Sequence, residues 1–217
     1  MDSLGRHEDY GQELLDEAQL LADPIEQFKL WLRDAEAANI YEPNAFVLGT
    51  ATPDAQPRSR TVLLKGVDEH GFFFATNYES RKGQALAQNP FVSATFGWYS
   101  MYRQVLIQGV AHPVEPADSD DYFHSRPHDS QVAAWSSAQS RPIASREALD
   151  KQFEDALAKF RDIDVPRPEY WGGYRIVPTR IEFWKGRTSR MHDRIEYFRE
   201  LNANGTVTAW QTQRLQP

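Results

Sequence analysis

The sequence predicts an α+β fold in which an antiparallel β-barrel is closed by strands that are distant in sequence, with helices packed outside it. Three observations support this fold class. Five short strand patterns with tight turns occur between residues 45 and 112. Helical patterns occupy 116–160, and strand patterns return from residue 174. Because only one helix interrupts the first five strands, they are typical of a barrel or a strongly curled antiparallel sheet.

The chain begins with a polar segment that leads into an amphipathic helix. Residues 1–22 are polar with scattered Leu and are predicted to form a flexible, weakly held arm or a helix, whereas 23–217 are predicted to form one domain. Asp23 can cap a helix that starts at Pro24, since proline is favoured at the first helical position. Apolar residues then recur at helical spacing, which predicts one face packed on a core: Ile25, Phe28, Leu32 and Ala35.

The remaining elements follow from changes of period and from turn residues. The five strands are predicted at 45–52, 59–66, 72–76, 91–98 and 104–112, with a helix at 80–88. Helices are predicted at 118–125 and after Ser145, which can act as an N-cap. The final strands are predicted at 174–177, 180–185, 195–200 and 206–210, with Asn204-Gly205 as a hairpin turn between the last two.

Composition excludes several classes of protein. The net charge of −7 argues against a general nucleic-acid binder, and no apolar run approaches the roughly 20 residues of a membrane span. The acidic N-terminus lacks the apolar region of a secretory signal, so a cytoplasmic protein is expected. The absence of cysteine excludes disulfides, thiolate nucleophiles and Cys-ligated metal sites.

The common catalytic motifs are missing as well. The sequence contains no glycine-rich phosphate loop of the two usual kinds, no HExxH and no G-x-S-x-G. Its six histidines have no metal-ligand spacing, and Pro127 breaks the helix that would align His124 with His128. No metal site is therefore expected. A bound organic cofactor is the simplest remaining source of reactivity.

Basic residues cluster in two stretches of the first half of the chain. Arg60 and Lys65 bracket an apolar run, and their odd separation puts them on opposite faces of a regular strand unless it twists or bulges, or unless they serve adjacent sites. Residues 76–82 run into a helix start that carries two adjacent cations, Arg81 and Lys82, and suits a phosphate. The alternatives are a solvated strand face and an ordinary capped helix.

Two stretches of the second half combine hydrogen-bond donors with positive charge. Tyr122, Arg126 and Ser130 are spaced at i, i+4 and i+8, which would offer three phosphate donors from about one face. The last stretch alternates three basic side chains as on one face of a strand, an arrangement that is costly unless an anion or an electron-rich ring lies against it: Arg190, His192 and Arg194.

These stretches are part of a wider resemblance. Over 23–217 the sequence resembles the pyridoxamine 5′-phosphate oxidase family, and the resemblance is carried by motifs in family order: RTVLLK, ATNYESRK, RQVLIQG, YFHSRPHDSQ, WSSAQSRP, YWGGYRI, EFWKGRTSRMHDR and the terminal RLQP. Two positions depart from the family pattern. The arm has His7-Glu8-Asp9-Tyr10 where the family often has a basic pair before Glu-Tyr, and His128 stands where a second Arg is usual.

The resemblance implies an FMN-binding split barrel that works as a homodimer, with each active site built by both subunits. The implied FMN contacts are Arg60, Val62, Leu63, Lys65, Ala75, Thr76, Ser80, Arg81, Lys82, Gln104, Gln139, Ser140, Trp184 and Arg194. The implied substrate contacts are Lys65, Tyr122, Arg126 and Ser130 on the phosphate, with Arg190 and His192 near the pyridine ring as the catalytic pair.

The implied reaction is the oxidation of pyridoxine or pyridoxamine 5′-phosphate by O2 to pyridoxal 5′-phosphate, with release of H2O2. Three alternatives remain at this point. The chain could be a related split-barrel flavoenzyme with another reductant, a non-catalytic flavin or pyridoxal-phosphate binding protein, or a structural barrel without a ligand. The complete set of substrate residues argues against the first, and the visible spectrum with and without substrate separates the other two.

Overall fold

A computed structural model describes Leu4, residues 10–202 and residues 204–217. The predicted departure from the family pattern at His7-Glu8-Asp9 lies outside the described residues. The described part of the chain forms five helices: α1 (Pro24–Ala37), α2 (Arg81–Gln88), α3 (Pro116–Ser125), α4 (His128–Ser136) and α5 (Arg146–Lys159). It forms nine strands: β1 (Ala45–Ala51), β2 (Pro57–Leu63), β3 (Gly66–Asp68), β4 (Gly71–Asn77), β5 (Phe91–Trp98), β6 (Arg103–Pro113), β7 (Trp171–Lys185), β8 (Asp193–Phe198) and β9 (Gln211–Leu215).

The strands form one antiparallel sheet, which confirms the α+β class. The main path runs in the order β2-β1-β5-β6-β7-β4-β3, and β8 and β9 extend from β7. Some neighbouring strands are far apart in the chain: β7 lies between β6 and β4 and pairs with both. Within the described ranges, no helix is both long enough and apolar enough to cross a membrane.

Strand β7 organises the sheet. One of its edges pairs with β6, while the other pairs with β4 over residues 171–176 and with β8 over residues 180–185. Pro178 lies at this changeover, opposite Gly109 and next to a register shift in β6. Proline has no N–H to donate and is tolerated where a ladder is already interrupted. The predicted break between 177 and 180 was therefore wrong, and the strand is continuous.

The last predicted strand was also wrong. A turn does occur at Asn204 and Gly205, because Leu201 and Val207 form an isolated bridge across it and Gly205 has a φ of 81°. Residues 206–210 are not a strand, and the final strand is β9, which pairs with β8. Four of the five β9 residues are exposed, so this edge strand has little apolar alternation that a sequence pattern could reveal.

Buried side chains form two clusters that lie on opposite faces of β4. Phe72 and Phe74 belong to the larger cluster, which includes the buried face of α1. Ala75 packs against the smaller cluster, and the Phe73 ring meets the Tyr122 ring edge-on at 5.4 Å. The smaller cluster joins α3–α5 to the start of β7 through these buried residues: Phe123, Val132, Ala134, Phe160, Val165 and Trp171.

Helix α2 approaches the chain before it so closely that one position requires glycine. A Cβ on Gly83 would overlap the backbone carbonyl of Tyr78. We therefore expect Gly83→Ala to lower the free energy of unfolding by about 1–3 kcal/mol, although alanine is intrinsically better than glycine in a helix. Gln84→Ala, one residue on and exposed, is the control and should leave stability within ~0.5 kcal/mol. Chemical denaturation measures both, and an equal effect of the two variants would contradict the close approach.

Candidate active site

A cationic cavity lies where β2, the start of α2 and the loop after α4 meet. Its volume is about 480 Å³, and none of the residues that line it is acidic: Arg58, Ser59, Arg60, Arg81, Lys82, Gln139 and Ser140. The positive charges gather there because β2 delivers Arg58 and Arg60 two residues apart and α2 begins with Arg81 and Lys82. Positive charge without a counter-ion in a concave site fits a phosphate group.

Lys82 is the most perturbed cation of this cavity. Its Nζ donates to Gln139 Oε1 at 2.6 Å and to Thr76 Oγ1 at 2.9 Å. Burial, together with the positive charge of Arg60, lowers the pKa of Lys82 to about 8. Within the described residues, the close partners of Lys82 are neutral oxygens. An anion bound here would therefore supply the negative countercharge that the ammonium group does not have.

Arg60 and Ser80, two other predicted residues of this region, make hydrogen bonds within the fold. Arg60 Nη1 donates to Leu48 O at 3.0 Å and to Thr50 Oγ1 at 2.9 Å, and burial, with a smaller effect of Arg58, lowers the Arg60 pKa. Ser80 is fully buried as the N-cap of α2, where its hydroxyl accepts from Gly83 N at 3.2 Å and donates to Asn77 O at 2.7 Å.

Three further predicted residues of this region are Arg81, Val62 and Leu63. Arg81 is exposed at the first turn of α2. Val62 and Leu63 end β2 opposite Phe46 and Ala45 of β1. Arg81 lines the cavity, whereas Val62 and Leu63 are not among the residues that line it.

Lys65 belongs to a different region from Arg60. Strand β2 ends at Leu63, and the Lys65 N–H donates to Phe73 O of β4 at 2.8 Å. Phe73 in turn contacts Tyr122, so the Lys65 backbone is two contacts from the second predicted cluster. Because β2 ends between Arg60 and Lys65, the two cations do not lie on one regular strand.

The second cluster surrounds Arg126. Its guanidinium lies 4.5 Å from the centre of the Trp171 ring, and its Nη2 donates to Ser130 O at 2.6 Å. Its Nη1 is buried and has no hydrogen-bond partner among the described residues. Burial lowers the pKa of Arg126 and raises that of its neighbour Tyr122. A buried guanidinium N–H without a partner is costly unless a ligand meets it.

Tyr122, Arg126 and Ser130 were predicted to offer three phosphate donors from about one face, and the structure places them around the junction of two helices, the first of which ends at Ser125 as predicted. Helix α3 ends at Ser125 and α4 starts at His128, so Arg126 lies at the junction of two helices. The junction still keeps Arg126 next to both other residues, through its charge interaction with Tyr122 and its hydrogen bond to Ser130 O.

The third cluster contains Trp184 and His192. The two ring centres are 4.7 Å apart, and the Tyr10 ring lies 5.5 Å from His192 and 6.2 Å from Trp184. His192 Nδ1 accepts the backbone N–H of Arg187 at 3.1 Å, which leaves Nε2 as the nitrogen that carries the proton of the neutral ring. Burial and the charge of Arg190 lower the His192 pKa, so the neutral form is favoured.

The predicted strand through Arg190, His192 and Arg194 was wrong. Thr188–Arg190 is a 3-10 turn, Ser189 and Arg190 have φ values of 55° and 59°, and β8 starts only at Asp193. Arg190 is exposed on this turn. The left-handed backbone of two consecutive non-glycine residues destroys the alternation that the sequence suggested.

Gln104, Trp184 and Arg194 form one row across three strands. Trp184 is the direct partner of both other residues in the sheet register. Their neighbours Val105, Phe183 and Ile195 are fully buried, so this row lies on the face away from the main core. Arg194 is held by a two-bond ion pair with Glu182 at 2.7 and 2.9 Å and donates to Gln216 O at 3.0 Å.

The structure brings Arg60, Thr76, Lys82, Gln139 and Ser140 together, and it brings Tyr122, Arg126 and Ser130 together, whereas Lys65 is linked to them only by its backbone bond to Phe73. Within the described part of one chain, no ring contact joins the Trp184–His192 cluster to either group.

Two residues of these clusters were left out of the predicted site, although Arg58 belongs to the same basic stretch as Arg60 and Lys65. Arg58 lines the cationic cavity, and its place two residues before Arg60 was the available signal. Trp171 supports Arg126, and its position in the YWGGYRI motif could have suggested a role.

Comparison with known proteins places this architecture in one family. A family model described as pyridoxamine 5′-phosphate oxidase matches residues 32–160, and one described as the pyridoxine 5′-phosphate oxidase C-terminal dimerisation region matches residues 171–217. Curated pyridoxine/pyridoxamine 5′-phosphate oxidases are similar over nearly the whole chain. The protein from Trichormus variabilis is 47% identical over 96% of this chain and 95% of its own length, and that from Rubrobacter xylanophilus is 47% identical over 100% and 97%.

Solved structures share the fold. PhzG from Burkholderia lata, in complex with tetrahydrophenazine-1-carboxylic acid, superposes with a TM-score of 0.86 at 32% identity and covers 94% of this chain and 98% of its own. An FMN-binding protein related to pyridoxamine 5′-phosphate oxidase, from Nostoc punctiforme, superposes with a TM-score of 0.67 at 15% identity over 90% and 98%. At this identity, the similarity to the Nostoc punctiforme protein concerns the fold alone. These matches and the cationic cavity together identify the chain as a member of the pyridoxamine 5′-phosphate oxidase family, an FMN-dependent oxidoreductase with the split-barrel fold.

Proposed function

We propose that this enzyme oxidises C4′ of pyridoxine 5′-phosphate and pyridoxamine 5′-phosphate to give pyridoxal 5′-phosphate. O2 is the final electron acceptor and becomes H2O2, and the amine substrate also consumes water and releases NH3. FMN, when bound, would supply the hydride-accepting chemistry for the oxidation of C4′. The chain's own residues bind and orient the two reactants.

The observation that supports this proposal is that two cationic clusters, the cavity around Lys82 and the cluster around Arg126, lie on the two faces of β4. Thr76 lies on one face, within hydrogen-bond distance of Lys82 in the cationic cavity. Phe73 lies on the other, against Tyr122 of the Arg126 cluster. One phosphate belongs to the cofactor and one to the substrate, so a reaction between two phosphorylated molecules explains both sites. A structural barrel without a ligand explains neither the unpartnered Arg126 Nη1 nor the acid-free cavity.

We assign the cofactor phosphate to the cationic cavity. Lys82 and Arg60 supply charge, and Thr76, Gln139 and Ser140 supply polar atoms beside them. Ser80 acts indirectly, since its hydroxyl caps α2 and thereby fixes the position of Lys82.

The cofactor ring is assigned to residues around the rest of the site. Val62, Leu63 and Ala75 would contact it from β2 and β4, and Gln104, Trp184 and Arg194 from the outer row.

The substrate is assigned to the other two clusters. Lys65, Tyr122, Arg126 and Ser130 hold its phosphate, and Arg190 and His192 face its ring. A neutral His192 with its proton on Nε2 can donate a hydrogen bond to a ring substituent, because the Arg187 N–H occupies Nδ1. Arg190 can cover the ring with its planar guanidinium.

We further propose that both subunits of a homodimer build each site. The C-terminal match is to a dimerisation region, and the Trp184–His192 cluster makes no ring contact with the other two clusters within the described part of one chain. Sedimentation should give a dimer at micromolar concentration, and an active FMN-loaded monomer would contradict this proposal.

Anaerobic spectroscopy tests the proposed reaction. The purified protein with FMN should show the visible flavin bands, and pyridoxine 5′-phosphate should bleach them within a single turnover before air restores them. Retention of the bands with either phosphorylated substrate would indicate a flavin-binding protein without this activity. Bleaching by a nicotinamide cofactor instead would indicate a different split-barrel flavoenzyme, and failure to bind FMN would favour a structural barrel.

We expect Lys82→Ala to weaken FMN binding while leaving chemistry intact at saturating FMN. Loss of one charge-assisted phosphate contact costs about 1.5–3 kcal/mol, which corresponds to roughly a tenfold to hundredfold rise in the FMN dissociation constant. Lys82→Arg is the matched control and should retain most of the affinity. Quenching of FMN fluorescence measures the constant, and an unchanged value in Lys82→Ala would remove this residue from the phosphate site.

The lowered pKa of Lys82 predicts a pH dependence of FMN binding. The ammonium form binds the phosphate, and this form is lost from the free protein as the pH rises through about 8. Affinity should therefore fall about twofold from pH 7 to 8 and should then fall more steeply, by up to about tenfold per pH unit. Lys82→Arg should flatten this profile between pH 8 and 9.5, and an equally steep profile in that variant would assign the titration elsewhere.

A further inference from the structure

The turn that carries Arg190 and His192 needs support from outside itself. Ser189 and Arg190 both adopt the left-handed region, which costs free energy for residues with a Cβ and persists only where the surroundings enforce it. Within the turn, Met191 N donates to Thr188 O at 3.1 Å and Arg187 N donates to His192 Nδ1 at 3.1 Å. These two bonds close the turn but do not attach it to the fold.

Asp193, the first residue of β8, supplies that attachment. It is 7% exposed, and its carboxylate receives three donors from three parts of the chain. Arg214 Nη1 of β9 donates to Oδ1 at 2.6 Å, Leu15 N of the N-terminal segment donates to Oδ2 at 3.0 Å, and Arg187 Nη1 lies 3.5 Å from Oδ2. A buried carboxylate is stable only with such partners.

The N-terminal segment is connected to the same carboxylate by a second route. Arg214 Nη2 donates to Leu15 O at 2.9 Å and to Glu17 Oε2 at 2.7 Å. Further along the segment, Gly11 O accepts the Thr188 N–H of the turn at 3.3 Å. The segment, the turn and β9 therefore meet around one carboxylate, whose charge Arg187 and Arg214 compensate.

We propose that Asp193 is a positioning residue for the oxidation, which locks the turn bearing Arg190 and His192 to the N-terminal segment that places Tyr10 against His192. Its carboxylate touches neither reactant. Its effect passes through Arg187 on the turn and through Leu15 on the segment. The kinetic part of this inference rests on the proposed function, whereas the structural coupling does not.

Amide hydrogen exchange tests the coupling without any activity. In the FMN-loaded Asp193→Asn variant, we expect amides of residues 11–17 and 187–192 to exchange at least tenfold faster than in the wild type. Glu196→Gln is the matched control, because Glu196 lies on the same strand, is 9% exposed and pairs with Arg180 at 2.9 Å. It should leave both segments at wild-type rates. Faster exchange in only one of the two segments, or in the control as well, would overturn the coupling.

Steady-state kinetics tests the effect on the reaction. Asp193→Asn should raise KM for pyridoxine 5′-phosphate and lower kcat/KM by roughly tenfold to fiftyfold, while the FMN dissociation constant changes less than twofold. A purely structural role would lower the melting temperature and leave KM unchanged. If Asp193→Asn does not fold, Arg214→Gln replaces it, since Arg214 is partly exposed and its loss removes the bonds to Asp193 Oδ1 and Leu15 O, which weakens the same junction from the β9 side. Wild-type KM in a folded variant with faster exchange would refute the positioning role, and an inactive wild type would refute the proposed function instead.

Discussion

Arg190→Ala is expected to lower turnover by roughly tenfold to a thousandfold while FMN stays bound and the protein stays folded. This loss equals about 1.4–4 kcal/mol of transition-state stabilisation, the range for a group that contacts the reacting ring. Arg190 is exposed on its turn, so removing its side chain leaves no cavity. Alanine keeps the same backbone strain as arginine at this φ of 59°, so the variant isolates the guanidinium.

Two controls identify what the guanidinium does. Arg190→Lys should restore little activity, because an ammonium cannot lie flat against a ring as a guanidinium does. Met191→Ala, at an exposed neighbour in the same turn, should change turnover less than twofold. Kinetics and the flavin spectrum of each variant decide the matter. Wild-type turnover in Arg190→Ala, or loss of FMN together with activity, would show that Arg190 has another role.

Arg126→Ala should raise KM for pyridoxine 5′-phosphate by roughly tenfold to a hundredfold. The side chain has a buried Nη1 without a protein partner among the described residues and is oriented by the Trp171 ring and Ser130 O. A phosphate that receives this N–H makes a charge-assisted hydrogen bond, which contributes about 1.5–3 kcal/mol. Arg126→Lys should recover only part of the affinity, since lysine cannot keep the stacked geometry on Trp171.

Unphosphorylated pyridoxine is the internal control for Arg126. The wild type should prefer the phosphorylated substrate in kcat/KM, and Arg126→Ala should reduce this preference by the same factor that raises KM. Activity on unphosphorylated pyridoxine should remain within twofold. An equal loss on both substrates would mean that Arg126 supports the fold of the α3–α4 junction and does not bind the phosphate.

The fold could be predicted from sequence wherever burial leaves a periodic pattern. Strand β5 was predicted with its observed bounds, and α1 was predicted from Asp23, whose side chain accepts from Ile25 N at 2.8 Å. Prediction failed where the signal is not local. The split of the predicted strand 59–66 into β2 and β3 follows from pairing with two different strands, β1 and β4, which no single segment encodes.

The site was predictable in composition but not in geometry. The motifs named Arg126 and His192, and the helix end at Ser125 was predicted, yet the start of α4 at His128 and the left-handed turn at Ser189 were not visible in residue spacing. The pairing of Arg194 with Glu182 was missed for the same reason, since the two residues meet only because β7 and β8 are adjacent. Long-range neighbours such as Asp193 and Leu15 are 178 positions apart and leave no local pattern.

The two buried clusters on either face of β4 have a consequence for divergence within the family. The larger cluster includes the side chains on the Thr76 face of β4, which is also the face of the cationic cavity, whereas the smaller one includes Trp171, against which Arg126 packs. Because the two clusters are packed separately, substitutions in the smaller cluster can change which substrate binds without weakening the binding of the cofactor. A fold divided in this way can keep an inherited redox centre while its descendants exchange the molecules they oxidise.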